Sequence, residues 1–65
     1  MSNTVKQIKA LMKQKGISQA DMADIIGVTH VTVHRWMNGT RIPTIEYVER
    51  MANVLEMKIG LVYKG

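Results

Sequence analysis

Residues 17–39 read ISQADMADIIGVTHVTVHRWMNG, and this stretch contains the local signals that decide the fold. Ser18 and Asp21 form a capping box of the kind that begins a helix. Gly27 ends this helix after about two turns, because glycine adopts the left-handed backbone conformation of a helix end without steric cost. We therefore predict a short helix over residues 18–26.

A second helix follows this one after a very short connection. Thr29 is a suitable N-cap and Gly39 a suitable stop, so the helix is predicted over about residues 30–38. Two helices joined by about three residues must cross steeply, and the small side chain of Ala23 lets their backbones approach closely. The pair therefore has the local geometry of a helix-turn-helix.

A lysine-rich helix is predicted before this motif, over about residues 4–15. Thr4 and Gln7 read as a capping box at its start, and Gly16 ends it. The side chains expected to face the core are Val5, Ile8, Leu11 and Met12.

A fourth helix is predicted after the motif, over about residues 44–55. Pro43 disfavours a helical conformation in the residue before it, and Thr44 is a suitable N-cap. The expected inward side chains are Ile45, Val48, Ala52 and Leu55. The chain of 65 residues is therefore predicted to be mainly α, a compact four-helix bundle that forms a single domain over residues 1–65.

The last part of the chain changes from helical periodicity to alternation, which predicts a β-strand over about residues 57–63. A lone strand leaves an unpaired edge, and pairing with the same strand of a second copy would remove that edge. The dimer interface is then predicted to contain Met57, Ile59, Leu61 and Tyr63. The alternative is an extended tail packed loosely on the helices.

The composition restricts the classes of function. A chain this short buries a small core and has no cysteine for a disulfide or a thiolate zinc site, so dimerisation is a favoured source of stability. Nine lysine and arginine residues against five acidic residues give a net charge of +4, which suits a polyanionic partner. No segment has the pattern of a membrane span or a signal peptide, so we expect a cytoplasmic protein.

The third predicted helix has an unusual outward face. At about 100° per residue, Val33, Trp36 and Met37 point inward, which favours a core role for the tryptophan over base stacking. The opposite face has no acidic residue and carries Val31, His34, Arg35 and Asn38. An exposed valine beside an arginine is atypical of a merely solvated face and indicates a binding surface.

Residues 17–39, together with Pro43, resemble the Cro/CI-type (XRE) helix-turn-helix family. The Ser-Gln opening, the small residue, the turn glycine and the Arg-Trp-x-Asn-Gly exit all occur in register, and the resemblance covers about residues 4–56. It implies a lambda-repressor-like bundle whose third helix enters the major groove, and dimers that read a palindromic operator with half-sites about 10 base pairs apart. It also implies a repressor of transcription, of a kind common in phages and mobile elements.

The resemblance assigns a role to individual residues. The positions that face base edges are occupied by His30, Val31, His34 and Arg35. The positions that contact phosphate are occupied by Gln19, Thr29, Thr32, Asn38, Thr40 and Arg41, and Gln19 also resembles the residue that braces the recognition helix. The chemistry agrees, because Arg35 can donate two hydrogen bonds to guanine and Val31 suits the thymine methyl group. The two histidines are expected to donate to guanine N7 or to phosphate.

Metal binding and catalysis are the less favoured interpretations. His30 and His34 have the i, i+4 spacing of a metal-binding pair, but no carboxylate or thiol lies nearby in the sequence, so no metal or other cofactor is expected. Asp21 and Asp24 are explained by the dipole of the helix that they begin. Without a nucleophile beside a base or a phosphate loop, neither an enzyme nor a small-molecule substrate is expected.

A protein-interaction module, such as an antitoxin or a bridging adaptor, is the alternative function. Its interface would use Tyr47, Met51 and the strand. Because that function leaves the exposed Val31 and Arg35 unexplained, DNA binding is the favoured interpretation.

Overall fold

A computed structural model describes residues 3–56 of the chain, and this range folds into four α-helices. The helices are α1 (Asn3–Lys15), α2 (Gln19–Ile26), α3 (His30–Met37) and α4 (Ile45–Val54). The predicted mainly helical bundle is confirmed, and each helix begins and ends within one residue of its predicted bounds. The predicted strand over residues 57–63 lies outside the described range, as do its four interface residues.

Side chains that cap the helices define the start of the central motif. At α2, Asp21 N–H donates to Ser18 Oγ at 3.0 Å, and Ser18 N–H donates to Asp21 Oδ2 at 3.2 Å. At α3, Thr29 Oγ1 accepts from Thr32 N–H at 3.2 Å. The predicted capping box of α2 and the predicted N-cap of α3 are therefore confirmed.

The turn between α2 and α3 is built around a left-handed glycine. Gly27 has φ +82° and its N–H donates to Ala23 O at 2.9 Å, while Val28 N–H donates to the same oxygen at 3.0 Å. Both bonds satisfy the end of α2 and turn the chain directly into the cap of α3. Ala23 is 2% exposed, as expected of a small residue where two helices approach closely.

The core is formed by one apolar stripe from each helix. It includes Val5, Ile8, Met12, Met22, Ile26, Val33, Trp36, Met37, Val48, Met51 and Leu55. Trp36 is 6% exposed and packs on Tyr47 with 5.3 Å between ring centroids, so the predicted core role of the tryptophan is confirmed. Among residues 3–56, no helix has both the length and the apolar character needed to cross a bilayer.

Two predictions about the outer helices were wrong. Helix α1 already begins at Asn3, so Thr4 lies inside its first turn and is not the residue that precedes it. Ile45 is 67% exposed, although it was predicted to face the core. The buried stripe of α4 is centred near Val48 and Leu55, roughly 70° around the helix from Ile45, so no neighbouring helix covers that side chain.

Two residues of the surface suggested for a protein-interaction module are not free for that role, and its strand lies outside the described residues. Met51 is fully buried, and Tyr47 is partly buried between Trp36 and the guanidinium of Arg50. These two side chains therefore hold α4 against the bundle and do not form an open binding face.

Candidate nucleic-acid interface

The outward face of α3 carries the four side chains that were predicted to read bases. His30, Val31, His34 and Arg35 are all exposed, with Val31 at 56%. They share one face because positions three or four residues apart lie on the same side of a helix. The side chains of His30, Val31 and His34 line a shallow depression of about 300 Å³.

Three buried side chains on the inner face hold α3 in place. Val33, Trp36 and Met37 are in the core, and Trp36 contacts Tyr47 of α4. A helix of eight residues anchored at three positions cannot rotate about its axis without exposing apolar surface. The orientation of the outward face is therefore determined by the packing of the inner one.

A hydrogen bond joins the start of α2 to the outward face of α3. The Nδ1 atom of His34 lies 3.1 Å from Oε1 of Gln19, fifteen residues earlier in the chain. Gln19 is half-buried and His34 is exposed. The resemblance implied that Gln19 braces the recognition helix, and in this fold its partner on that helix is His34.

The start of α3 presents two hydroxyl groups. The oxygens of Thr29 and Thr32 are 2.8 Å apart, and Thr29 Oγ1 also accepts the Thr32 N–H. Only one of the two hydroxyls can donate to the other, so the second hydroxyl has a proton to offer an outside acceptor such as a phosphate oxygen. The two predicted phosphate contacts are thus one hydrogen-bonded unit.

The loop after α3 folds back onto the end of that helix. Asn38 Oδ1 accepts from the Thr40 backbone N–H at 3.0 Å and from the Thr40 hydroxyl at 2.6 Å, which leaves the amide NH₂ of Asn38 for an outside acceptor. The Arg35 carbonyl oxygen accepts from the N–H groups of Thr40 at 2.9 Å and Arg41 at 3.2 Å. Gly39, at φ +82°, permits this reversal of the chain.

This folding brings a predicted base reader and a predicted phosphate contact together. Arg35 and Arg41 line one depression of about 150 Å³, with Ile42 beside them. Ile42 is 88% exposed and was not singled out from the sequence. The available signal was Pro43, which holds the preceding residue in an extended conformation and away from a helix face.

The arginines differ in their availability to a ligand. Arg50 pairs with Glu46 at 2.9 Å, donates to the Ile26 carbonyl oxygen at 3.4 Å and lies over the Tyr47 ring. Within residues 3–56, the guanidinium groups of Arg35 and Arg41 have neither an ion pair nor a hydrogen bond. One arginine on α3 and one in the loop after it are therefore available to an anion, whereas the guanidinium of Arg50 is held by contacts with Glu46, Tyr47 and Ile26.

The charged residues are separated along the chain. Positions 25–45 contain no acidic residue. The acidic side chains lie at Asp21, Asp24, Glu46, Glu49 and Glu56, and α1 exposes Lys6, Lys9, Lys13 and Lys15. The described chain therefore has two positive segments without an acidic residue: α1, and the stretch that holds the outward face of α3 and the loop after it. In the second segment the positive charge lies beside exposed side chains that can contact bases, which favours an anionic ligand.

A metal site finds no support in this region. Within the described chain, no three histidine or acidic side chains lie close enough together to hold a metal ion. One nitrogen of His34 is already hydrogen-bonded to Gln19. No other histidine or acidic side chain among these residues lies near enough to His30 and His34 to complete a set of three metal ligands.

Comparisons with known proteins agree with this geometry. A family model described as helix-turn-helix matches residues 8–62. A curated protein of Bacillus subtilis (strain 168), named as the uncharacterized HTH-type transcriptional regulator YqaE, is 28% identical over 60 residues, which are 92% of this chain and 52% of that protein. The chain thus spans about half the length of that relative. No solved structure gives a significant match.

Proposed function

Because the chain belongs to the helix-turn-helix family, whose model covers residues 8–62, we propose that it is a sequence-specific, double-stranded DNA-binding regulator of transcription. The observation that carries the proposal is the outward face of α3, which contains no acid and holds an exposed valine and an arginine that has no ion pair within residues 3–56. The name of the Bacillus relative supports transcriptional regulation as the purpose of DNA binding. The chain is accordingly a regulator and not an enzyme.

In this proposal α3 lies in the major groove and its outward side chains contact base edges. Arg35 donates two hydrogen bonds to O6 and N7 of a guanine, and Val31 packs on a thymine methyl group. His30 and His34 make the remaining base contacts. The shallow depression between these histidines and Val31 has the apolar floor that a thymine methyl group requires.

Phosphate contacts surround this face. The donors are the side chains of Gln19, Thr29, Thr32, Asn38 and Arg41. Thr40, whose hydroxyl donates to Asn38 Oδ1, lies beside the phosphate and directs the NH₂ group of Asn38 toward it. Their internal hydrogen bonds support the role, because Asn38 keeps its NH₂ group free and the guanidinium of Arg41 has no partner within residues 3–56. Such contacts set the position of α3 on the duplex and carry no sequence information.

We further propose that the protein is a Cro-like repressor that binds a palindromic operator as a homodimer. Two copies related by a two-fold axis would place two α3 helices in major grooves about one helical turn of DNA apart. Pairing of residues 57–63 between copies, through Met57, Ile59, Leu61 and Tyr63, would supply the interface. Occlusion of RNA polymerase is the simplest mechanism for such a dimer, and a cytoplasmic location follows from the role.

Selection of bound sequences from random duplex DNA tests this proposal. The enriched sequence is then titrated at several salt concentrations with the wild type, Arg35→Ala and Arg50→Ala. The last variant is a matched control, because it also removes one positive charge, but from a residue that is paired with Glu46. Circular dichroism of all three proteins checks that each is folded.

The expected result is an enriched palindrome whose preference at one base pair is lost in Arg35→Ala. That loss should be about 1–3 kcal/mol, or roughly 5- to 150-fold in affinity. Arg50→Ala should weaken specific and random DNA equally. Failure to enrich any sequence, with affinity that depends only on salt, would contradict sequence-specific binding.

A further inference from the structure

We propose that Gln19 holds His34 in the tautomer that carries its proton on Nδ1, so that Nε2 accepts a hydrogen bond from a base. The base partner would then be an exocyclic amine, N6 of adenine or N4 of cytosine, and guanine would be rejected at this contact. The inference rests on the proposed DNA binding and specifies what His34 reads.

The starting observation is the distance of 3.1 Å between His34 Nδ1 and Gln19 Oε1. It is the only side-chain hydrogen bond between α2 and α3 within the described residues. Because an amide and an imidazole can each donate or accept, two directions are possible in principle. The direction decides which atom His34 presents to the groove.

The ligand proposed for Gln19 determines this direction. Phosphate oxygens only accept hydrogen bonds, so a contact between Gln19 and phosphate must use the NH₂ group of the amide. The amide oxygen then faces His34, which is the orientation found here. Since that oxygen cannot donate, the imidazole must donate from Nδ1.

A neutral imidazole has one N–H group, so the second nitrogen of His34 is left as an acceptor. In the major groove, guanine offers only the acceptors N7 and O6, whereas adenine and cytosine offer amino groups. Two acceptors face to face gain no hydrogen bond and repel. The sequence led us to expect that His34 donates a hydrogen bond to guanine. The hydrogen bond to Gln19, on another helix, makes Nε2 of His34 an acceptor instead.

His30 is the internal reference for this inference. It lies one turn before His34 on the same face of α3, and its side chain has no hydrogen-bond partner within residues 3–56. Its two tautomers are therefore not selected by a neighbour among these residues, so His30 should show a mixture of both.

The tautomer is measured directly in the free protein. Long-range ¹⁵N–¹H correlation spectra of the full chain, recorded at about pH 8 where an exposed imidazole is neutral, show which ring nitrogen carries the proton. We expect His34 to be protonated on Nδ1, and to change to the ordinary mixture seen for His30 in the variant Gln19→Leu. An Nε2-protonated His34 in the wild type, or an unchanged His34 in Gln19→Leu, would overturn the proposal.

A second experiment tests the consequence for DNA. The base pair that depends on His34 is identified by comparing sequences selected by the wild type and by His34→Ala, and operators with all four base pairs at that position are titrated. The wild type should prefer adenine or cytosine over guanine on the contacted strand by about fivefold or more, and Gln19→Leu should lose that preference. Arg41→Ala is the matched control: it removes a proposed phosphate contact without touching His34, so it should lower all four affinities equally.

The two experiments separate the possible failures. If no sequence is selected, the proposed function is refuted, and the spectra of the free protein still test whether Gln19 selects the tautomer of His34. If a sequence is selected but guanine is preferred at the His34 position, the proposed function stands and this inference is refuted.

Discussion

The glycine between α2 and α3 provides the prediction whose magnitude follows most directly from the structure. Gly27 has φ +82°, and a Cβ atom built there meets no atom within 4 Å. A change to alanine therefore introduces backbone strain without a clash. The left-handed conformation costs an L-residue about 1–2 kcal/mol, and the lower entropy of the unfolded chain returns about 0.4–1 kcal/mol. We expect Gly27→Ala to lower the free energy of unfolding by about 1 kcal/mol.

Gly16 is a matched position for this test. It ends α1 with φ +75°, and a Cβ atom there also meets nothing within 4 Å. Gly16→Ala should therefore cost about the same as Gly27→Ala, although Gly27 lies inside the helix-turn-helix and Gly16 does not. Gly27→Asn should cost less than Gly27→Ala, because asparagine tolerates the left-handed region better than other side chains.

Urea unfolding measures these changes. The fluorescence of Trp36, the only tryptophan in the chain, reports the loss of the core, and circular dichroism reports the helices. A loss of more than about 3 kcal/mol for Gly27→Ala, with a loss near 1 kcal/mol for Gly16→Ala, would refute the reasoning. It would mean that the methyl group at position 27 lowers the stability of the turn for a reason other than the backbone angle.

Three further predictions concern DNA binding, the helix crossing and the dimer. Arg41→Ala should weaken all DNA sequences alike and reduce the slope of log affinity against log salt by about 1, as titrations at several salt concentrations would show; a change in base preference would contradict a phosphate role. Ala23→Leu should destabilise the fold by about 1–3 kcal/mol in urea, because the side chain is buried, whereas the exposed Ala20→Leu should change little. Ile59→Lys should convert a dimer to a monomer in sedimentation equilibrium; an unchanged mass would remove the strand from the proposed interface.

The sequence alone was sufficient for the helices of the central motif because the signals that bound them are local. The capping box of Ser18 and Asp21 and the N-cap Thr29 each act within three residues. Gly27 ends its helix through its own left-handed backbone conformation. Ile45 shows that such local signals do not determine burial. Its helical position was correctly predicted, but whether it is buried depends on which other helix lies beside it.

The candidate site divides in the same way. The outward face of α3 follows from about 100° per residue, so His30, Val31, His34 and Arg35 can be grouped by their spacing in the sequence. The pairing of His34 with Gln19 cannot, because these residues are fifteen positions apart and meet only through the crossing of two helices.

The sequence also could not predict that the loop after α3 folds back onto the helix. This places Arg41 and the exposed Ile42 beside Arg35. Periodicity and caps describe one helix at a time, and they determined which residues this protein presents. The tertiary structure alone decided which of those residues meet, because the angle between packed helices depends on the shapes of all the buried side chains together.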